Sequence, residues 1–322
     1  MLIRIIVHRI LWAVPLLLGM SFISFVLIRL VPGSYFQSLR LNPQISEDTI
    51  RELETKYHLD KPIVEQYFFW LINLLRGDLG YSFYYHAPVG KVLLSRIGPT
   101  LLLSSIALVL VWIVVIPAGV YSQRFNWADP VLSAMAFVFM CLPSFLLAFL
   151  FLFFALTTGL LPLGGMHSLV YQDLPWHLRI LDMARHLLIP SLVISLPAIG
   201  ALFRVVRANL RTVLTAPFIL NARAKGFGKS YILWHHALPN SIHPLIVIFG
   251  YQLSDILSGA ALVEIICNWP GMGSLMLSAV QAQDLYLVMA GMMVGGVMLI
   301  LGNVISDIIL YCLDPRIREG VM

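Results

Sequence analysis

Long apolar stretches without Asp, Glu, Lys or Arg dominate this chain, and each exceeds what a buried soluble helix needs. A helix rises about 1.5 Å per residue, so crossing about 30 Å of hydrocarbon takes about 20 apolar residues. Residues 10–28 form the first such stretch and 97–123 the second. The next, 130–172, is too long for one span; its composition predicts a helix at about 131–155 and a break near Thr157, Thr158 and Gly159. The fourth, 186–203, is short and carries Pro190 and Pro197, and the fifth, at about 243–263, contains Asp255. The sixth, 285–306, stops just before Asp307. The pattern predicts an all-α polytopic membrane protein with six transmembrane helices.

Between the first two spans the pattern changes. Residues 31–99 carry seven Lys/Arg and seven Asp/Glu, a neutral, water-facing composition. Ser46 can cap a short helix with Glu47 and Asp48 in its first turn, placing Ile50, Leu53 and Tyr57 on one face. A second helix is expected to start near Asp60 and Pro62, with Ile63, Tyr67, Leu71 and Leu74 on one side. It ends at the turn Gly77-Asp78-Leu79-Gly80. These features predict a small helical extracytoplasmic region lying on the membrane core. The expected division is 1–30 for the N-terminal tail and first span, 31–96 for that region, 97–313 for a five-helix core with a loop at 204–243, and 314–322 for a tail.

Composition supports lipid as the solvent: of 322 residues, 59% are hydrophobic and 11% charged, against about 25% charged in soluble domains. The net charge of +5 matters through its placement. Residues 204–243 hold six Lys/Arg, three His and no acidic residue, which assigns them to the cytoplasm. Both termini then fall on the same side, in agreement with Arg4, Arg9, Arg316 and Arg318. Residues 264–284 hold Glu264 and Asp284 but no Lys or Arg, which fits the outside. The first apolar run is too long for a signal peptide and lacks a small-residue cleavage site, so a retained anchor is expected. Cys141, Cys267 and Cys312 are too scattered for a disulfide framework or a metal knuckle.

Candidate chemistry concentrates in the basic loop. In a helix over 218–226, Phe218, Ala222 and Gly226 would share one face at i+4 spacing, flanked by Arg223, Lys225 and Lys229. Such a face admits close approach by an acidic partner. It equally describes a solvated helix with Gly226 as its left-handed cap. Gly228-Lys229-Ser230 ends like a phosphate-binding loop, but Arg223 stands where that motif needs Gly and no strand precedes it. His235, His236 and His243 lack metal-ligand spacing, and no nucleophile elbow is present. In the fifth span Gln252, Asp255 and Gly259 share a face with Ser258 beside them, suiting either a pore wall or a bridge between helices. Gly291 and Gly295 favour close helix packing, and Trp269-Pro270-Gly271-Met272-Gly273 a rigid turn.

The basic loop resembles the EAA loop of ABC-importer permeases. Gly226 and Leu238-Pro239 match its spacing and Ala222 matches one of its alanines, while Leu220 replaces the acidic residue and His236 an expected Ile. Ala222-Arg223-Ala224-Lys225-Gly226 is closer to the version found in the dipeptide/oligopeptide permeases. Further stretches resemble that branch in order along the chain. They are His8-Arg9-Ile10-Leu11 through Arg29-Leu30-Val31-Pro32-Gly33; Leu59-Asp60-Lys61-Pro62 with Gln66-Tyr67; Gly77-Asp78-Leu79-Gly80-Tyr81-Ser82; Trp269-Pro270-Gly271-Met272-Gly273; and Leu313-Asp314-Pro315-Arg316-Ile317-Arg318. The resemblance implies a type I importer permease subunit in the bacterial cytoplasmic membrane, working by alternating access. It implies a second homologous permease, two cytoplasmic ATP-binding subunits and an extracytoplasmic solute-binding protein as partners. The ATPase contact it implies is Ala222, Arg223, Ala224, Lys225, Gly226, Leu238 and Pro239. The same reading expects no catalysis, cofactor, metal or nucleic acid on this chain. A secondary transporter would need matched internal repeats, and a membrane enzyme a catalytic constellation; neither pattern is evident. The cargo within that branch is not legible in these residues.

Overall fold

Lipid offers backbone N–H and C=O groups no partners, so apolar runs must close their hydrogen bonds internally as helices. The computed structural model describes residues 2–30, 47–48, 52, 55, 61–242, 245, 248–249 and 261–313. Among these, four helices are long and apolar enough to cross a membrane. They are α1 (Leu2–Leu30), α3 (Val89–Arg124), α6 (Trp176–Leu214) and α12 (Leu285–Leu313). The all-α polytopic expectation holds. The fifth expected span falls mostly outside the described residues, which resume at α10 (Ala261–Ile266). Most of the short helix expected at 46–57 lies outside them too.

The third apolar stretch departs from expectation. In place of one helix over 131–155 there are α4 (Ala128–Cys141) and α5 (Ser144–Thr158), bent by 102°. Pro143 lacks an N–H and crowds the residue before it, and Leu142 accordingly turns extended at φ −84°, ψ 120°. The expected stop holds: Gly159 takes the left-handed conformation at φ 66° and its N–H bonds Ala155 O at 2.9 Å. Pro190 and Pro197, by contrast, are absorbed inside α6, which runs 39 residues. Both α3 and α6 extend past their apolar runs, α3 starting at Val89 ahead of the expected 97.

The bundle is built on α3 against α6. Val111, Val115 and Val120 of α3 pack with Ile199, Leu202, Val206 and Leu210 of α6. A Cβ at Gly200 of α6 would lie 2.5 Å from the carbonyl oxygen of Ala136 on α4, so only a bare backbone permits that approach. Asp129 of α4 receives Arg207 and Arg211 of α6, the latter at 2.6 Å. At the other edge α1 lies along α12. Arg9 grips Asp307 through Nε to Oδ2 at 2.7 Å and Nη2 to Oδ1 at 3.3 Å. Gly296 gives way to Leu17 and Met20 of α1, and Gly291 faces Met276, while Gly295 meets nothing within 4 Å. The close packing expected of Gly291 and Gly295 therefore runs through Gly291 and Gly296.

The second polar-region helix forms as α2 (Ile63–Leu75), followed by Gly77 and Gly80 at φ 82° and 86°. It buries Gln66, Tyr67 and Trp70 in the groove between α1 and α12, against Phe25, Leu285 and Met289. Ile63, expected on that face, is exposed. A two-stranded antiparallel hairpin follows, β1 (Tyr81–Ser82) with β2 (Ala87–Pro88), pairing Tyr81 with Pro88 and Ser82 with Ala87.

Candidate functional site

The basic loop folds as a chain of short helical pieces beneath the α3/α6 bundle: α7 (Pro217–Ala224), α8 (Lys229–Tyr231), a π-helical turn (Ile232–Ala237) and α9 (Leu238–Ser241). Pro217 starts α7, where its missing N–H costs nothing. Gly226 closes it at φ 85°; its N–H donates to Arg223 O at 2.9 Å and that of Phe227 to Ala222 O at 3.3 Å. Ile219 and Ala222 turn inward and join Val111, Val115, Leu210, Ile232 and Leu233 in one apolar cluster. Phe218, Leu220, Arg223, Ala224, Lys225 and Gly226 are exposed. The expected shared face of Phe218, Ala222 and Gly226 is thus corrected: Ala222 is an anchor, 7% exposed. The inward stripe is the i, i+3 pair Ile219 and Ala222, which turns Phe218 outward, and Gly226 falls beyond the end of α7 at Ala224. Leu238 is likewise buried, and Pro239 is exposed at the start of α9.

Lys229 donates from Nζ to Arg124 O at 3.0 Å, closing the C-terminal end of α3. It serves as a helix cap, and helix α7, with no strand, precedes it. The aromatic rings of the loop stack in a ladder: Phe227 on Tyr231 at 5.0 Å and Tyr231 on His235 at 4.2 Å, with interplanar angles of 21° and 11°. His235 and His236 belong to that ladder, and His243 lies outside the described residues. Gln252, Asp255 and Ser258 also lie outside them, so no geometry bears on the pore wall.

At the opposite end of the bundle two buried carboxylates organise the chain. Glu264 is fully buried and accepts Thr100 Oγ1 at 2.8 Å and the N–H groups of Gly273 and Ser274 at 2.7 and 3.1 Å. Those N–H groups open α11 (Met272–Gln281), so Glu264 caps a helix from another element. Gly271 and Gly273 leave the space: a Cβ on Gly271 would meet the Glu264 carboxylate, and one on Gly273 would lie 2.5 Å from Ala261 Cα. Trp269 is buried and donates Nε1 to Pro99 O at 3.0 Å, which fixes the turn against α3. Asp284, also fully buried, accepts Ser82 Oγ at 2.6 Å, Tyr84 N at 3.1 Å and Leu287 N at 3.3 Å, pinning the hairpin to the start of α12. Burial pushes its carboxyl above the usual range, and the bonds from Ser82 and backbone N–H groups oppose that shift. Sequence reasoning used both carboxylates only as markers of sidedness. The Pro270-Gly-Met-Gly run was the available signal that a partner approaches the backbone there.

Comparison with known proteins matches nearly the whole chain. Residues 1–104 match the family described as "Binding-prot-dependent transport system membrane comp, N-term", and residues 114–319 match "Binding-protein-dependent transport system inner membrane component". The oligopeptide transport system permease protein AppB of Bacillus subtilis is 32% identical over 317 residues, covering 97% of this chain and 98% of that protein. The oligopeptide transport system permease protein OppB of Haemophilus influenzae is 31% identical over 98% of this chain and its own full length (100%). The dipeptide transport system permease protein DppB of Alkalihalophilus pseudofirmus is 28% identical over 97% of this chain and 98% of its own.

Proposed function

This chain belongs to the family of binding-protein-dependent transport system inner membrane components and is a permease subunit of an ABC peptide importer, and we propose from that premise that α7 is where its motor subunits dock. The observation carrying this reading is the division of labour within α7. Ile219 and Ala222 lock into the α3/α6 cluster, while Phe218, Leu220, Arg223 and Lys225 face outward. A partner holding the outer side therefore pulls directly on the bundle. Arg223, Ala224, Lys225, Gly226 and Pro239 are assigned to the contact with two cytoplasmic ATP-binding subunits, and Ala222 and Leu238 to its anchoring. Paired with a second homologous permease as a heterodimer, the chain forms half of the pore. An extracytoplasmic solute-binding protein delivers peptide at the end where Glu264 and Asp284 hold α11 and the hairpin. Both termini and the basic loop lie in the cytoplasm in this reading, and ATP hydrolysis alternates the pore between inward and outward states. The fifth span, over about 243–263, is read as setting Gln252, Asp255 and Ser258 on the pore wall. The division into 1–30, 31–96, 97–313 and 314–322 is retained, with α3 crossing the second boundary.

The test reverses charge at the outward side. In the complete transporter in proteoliposomes, Arg223→Glu with Lys225→Glu is expected to lower peptide uptake and ATPase retention at least about tenfold, roughly 1.4 kcal/mol of docking. Insertion and thermal stability stay unchanged, because neither side chain is buried. Unchanged uptake and retention would show that this face is only solvated.

A further inference from the structure

The helix α2 belongs to a segment whose composition suits water, yet its contacts lie deep along the spans. Tyr67 bonds Ser21 Oγ at 2.9 Å and Leu18 O at 3.4 Å through its hydroxyl. Leu18 sits near the middle of the apolar span Val7–Leu30. It is twelve residues before Leu30, so about 18 Å below that end of α1 at about 1.5 Å per residue. Half of a hydrocarbon layer is about 15 Å. Tyr67 and Trp70 also pack with Phe25 and Met289, and Met293 borders the same cluster. Met289 and Met293 lie one and two turns inside α12, about 6 and about 12 Å from its start. A tyrosine reaches only a few ångströms from its own backbone, so α2 itself sits below the ends of both spans.

The outer side of α2 is apolar as well. Val64, Phe68, Ile72 and Leu75 are 57%, 56%, 44% and 80% exposed. The polar groups gather at its ends: Glu65 and Gln66 at one, with Gln66 meeting Arg29 and the Lys61 carbonyl, and Arg76, Gly77 and Asp78 at the other. That outer side continues the exposed apolar surface of α1, where Phe22, Ile23 and Leu27 are bare. The span of α1 is also the least buried of the four, 12% against 56% for α6. At 13 residues α2 is too short to cross.

We propose that α2 is an immersed helix whose Phe68, Ile72 and Leu75 contact acyl chains of the non-cytoplasmic leaflet, with Tyr67 and Trp70 wedged between α1 and α12. The naming of the leaflet rests on the orientation proposed above; the immersion rests only on α1 and α12 being spans. A helix can occupy that depth because its backbone is satisfied internally. Its apolar flank then needs neither water nor a protein partner.

The test uses nitroxide labels at Phe68→Cys and Ile72→Cys, in a chain with Cys141, Cys267 and Cys312 replaced by Ser and the whole transporter in lipid nanodiscs. Both positions are exposed, so labelling leaves the core intact. Collision with dissolved oxygen is expected to exceed collision with a water-soluble nickel chelate, matching a control label at Leu27→Cys. A label that favours the nickel chelate, as at the water-exposed control Lys91→Cys, overturns the proposal. So does a label immobile and shielded from both reagents, which would mean that another subunit covers α2. Neither readout depends on transport, so loss of uptake and loss of immersion are separately visible.

Discussion

Glu264 and Asp284 show how much one buried carboxylate can organise when backbone N–H groups surround it. Glu264→Ala removes the acceptor for Gly273 N, Ser274 N and Thr100 Oγ1, leaving each unsatisfied at about 1–3 kcal/mol. The expected result is a lowered melting temperature and faster amide exchange at Gly273 and Ser274; unchanged exchange there would refute the cap. Asp284 adds a dependence on pH. Burial raises its carboxyl above the ordinary value, so the folded protein holds that proton more tightly than the unfolded chain. Its contribution to stability is therefore complete in acid and is lost as pH rises through the raised value. Between about pH 7 and about pH 4, melting of the wild type relative to Asp284→Asn should shift in favour of the wild type on acidification. A difference independent of pH would contradict the assignment. Neither role was legible in the sequence, because hydrogen-bond partners 164 and 202 residues away leave no local pattern. The Gly positions beside Trp269 were legible as a turn, and the reason for them was not.

Among elements, apolar length was the dependable guide: α1, α3, α6 and α12 all appear where unbroken runs place them. What failed was the treatment of proline. Pro143 divides α4 from α5, whereas Pro190 and Pro197 sit inside α6 without ending it. The difference lies in the surroundings, since α6 is held along its length by α3 and α4 and tolerates a missing bond. In α7 the packing against the bundle selects the Ile219 and Ala222 stripe over the i+4 series through Phe218. Gly226 can still be tested as an element boundary. Its φ of 85° disfavours any side chain, and no neighbouring atom lies within 4 Å of the space a Cβ would fill. Gly226→Leu should therefore cost only the backbone penalty, about 1–2 kcal/mol, keep the protein inserted, and abolish ATPase retention by bulk at the docking surface. Normal retention with Gly226→Leu would relocate the contact.

For the whole molecule, sidedness is the claim that charge placement made readable, and it can be checked by labelling. A cysteine at Ser230 should react only with cytoplasmic reagent, and one at Gln281, exposed at the end of α11, only with external reagent. Reaction from the same side would break the orientation. Asp255→Asn should leave assembly intact and alter transport between differently charged peptides, as a hydrated pore carboxylate predicts; a complex that dissociates in detergent would make it a bridge instead. The architecture also carries a mechanical corollary through α6. At 39 residues it is about 58 Å long, nearly twice the hydrocarbon thickness. One end is clamped to Asp129 through Arg207 and Arg211; the other is clamped where Asp182 receives Ser168 N at 2.8 Å and Arg179 donates to Leu174 O at 2.7 Å. If docking at α7 tilts it, such a rod would act as a lever pivoting within the bilayer. A tilt of about 10° swings each tip by about 5 Å in opposite senses, by the helix rise alone. Torque applied beneath the α3/α6 bundle thus arrives on the far side of the membrane without any relay of side chains.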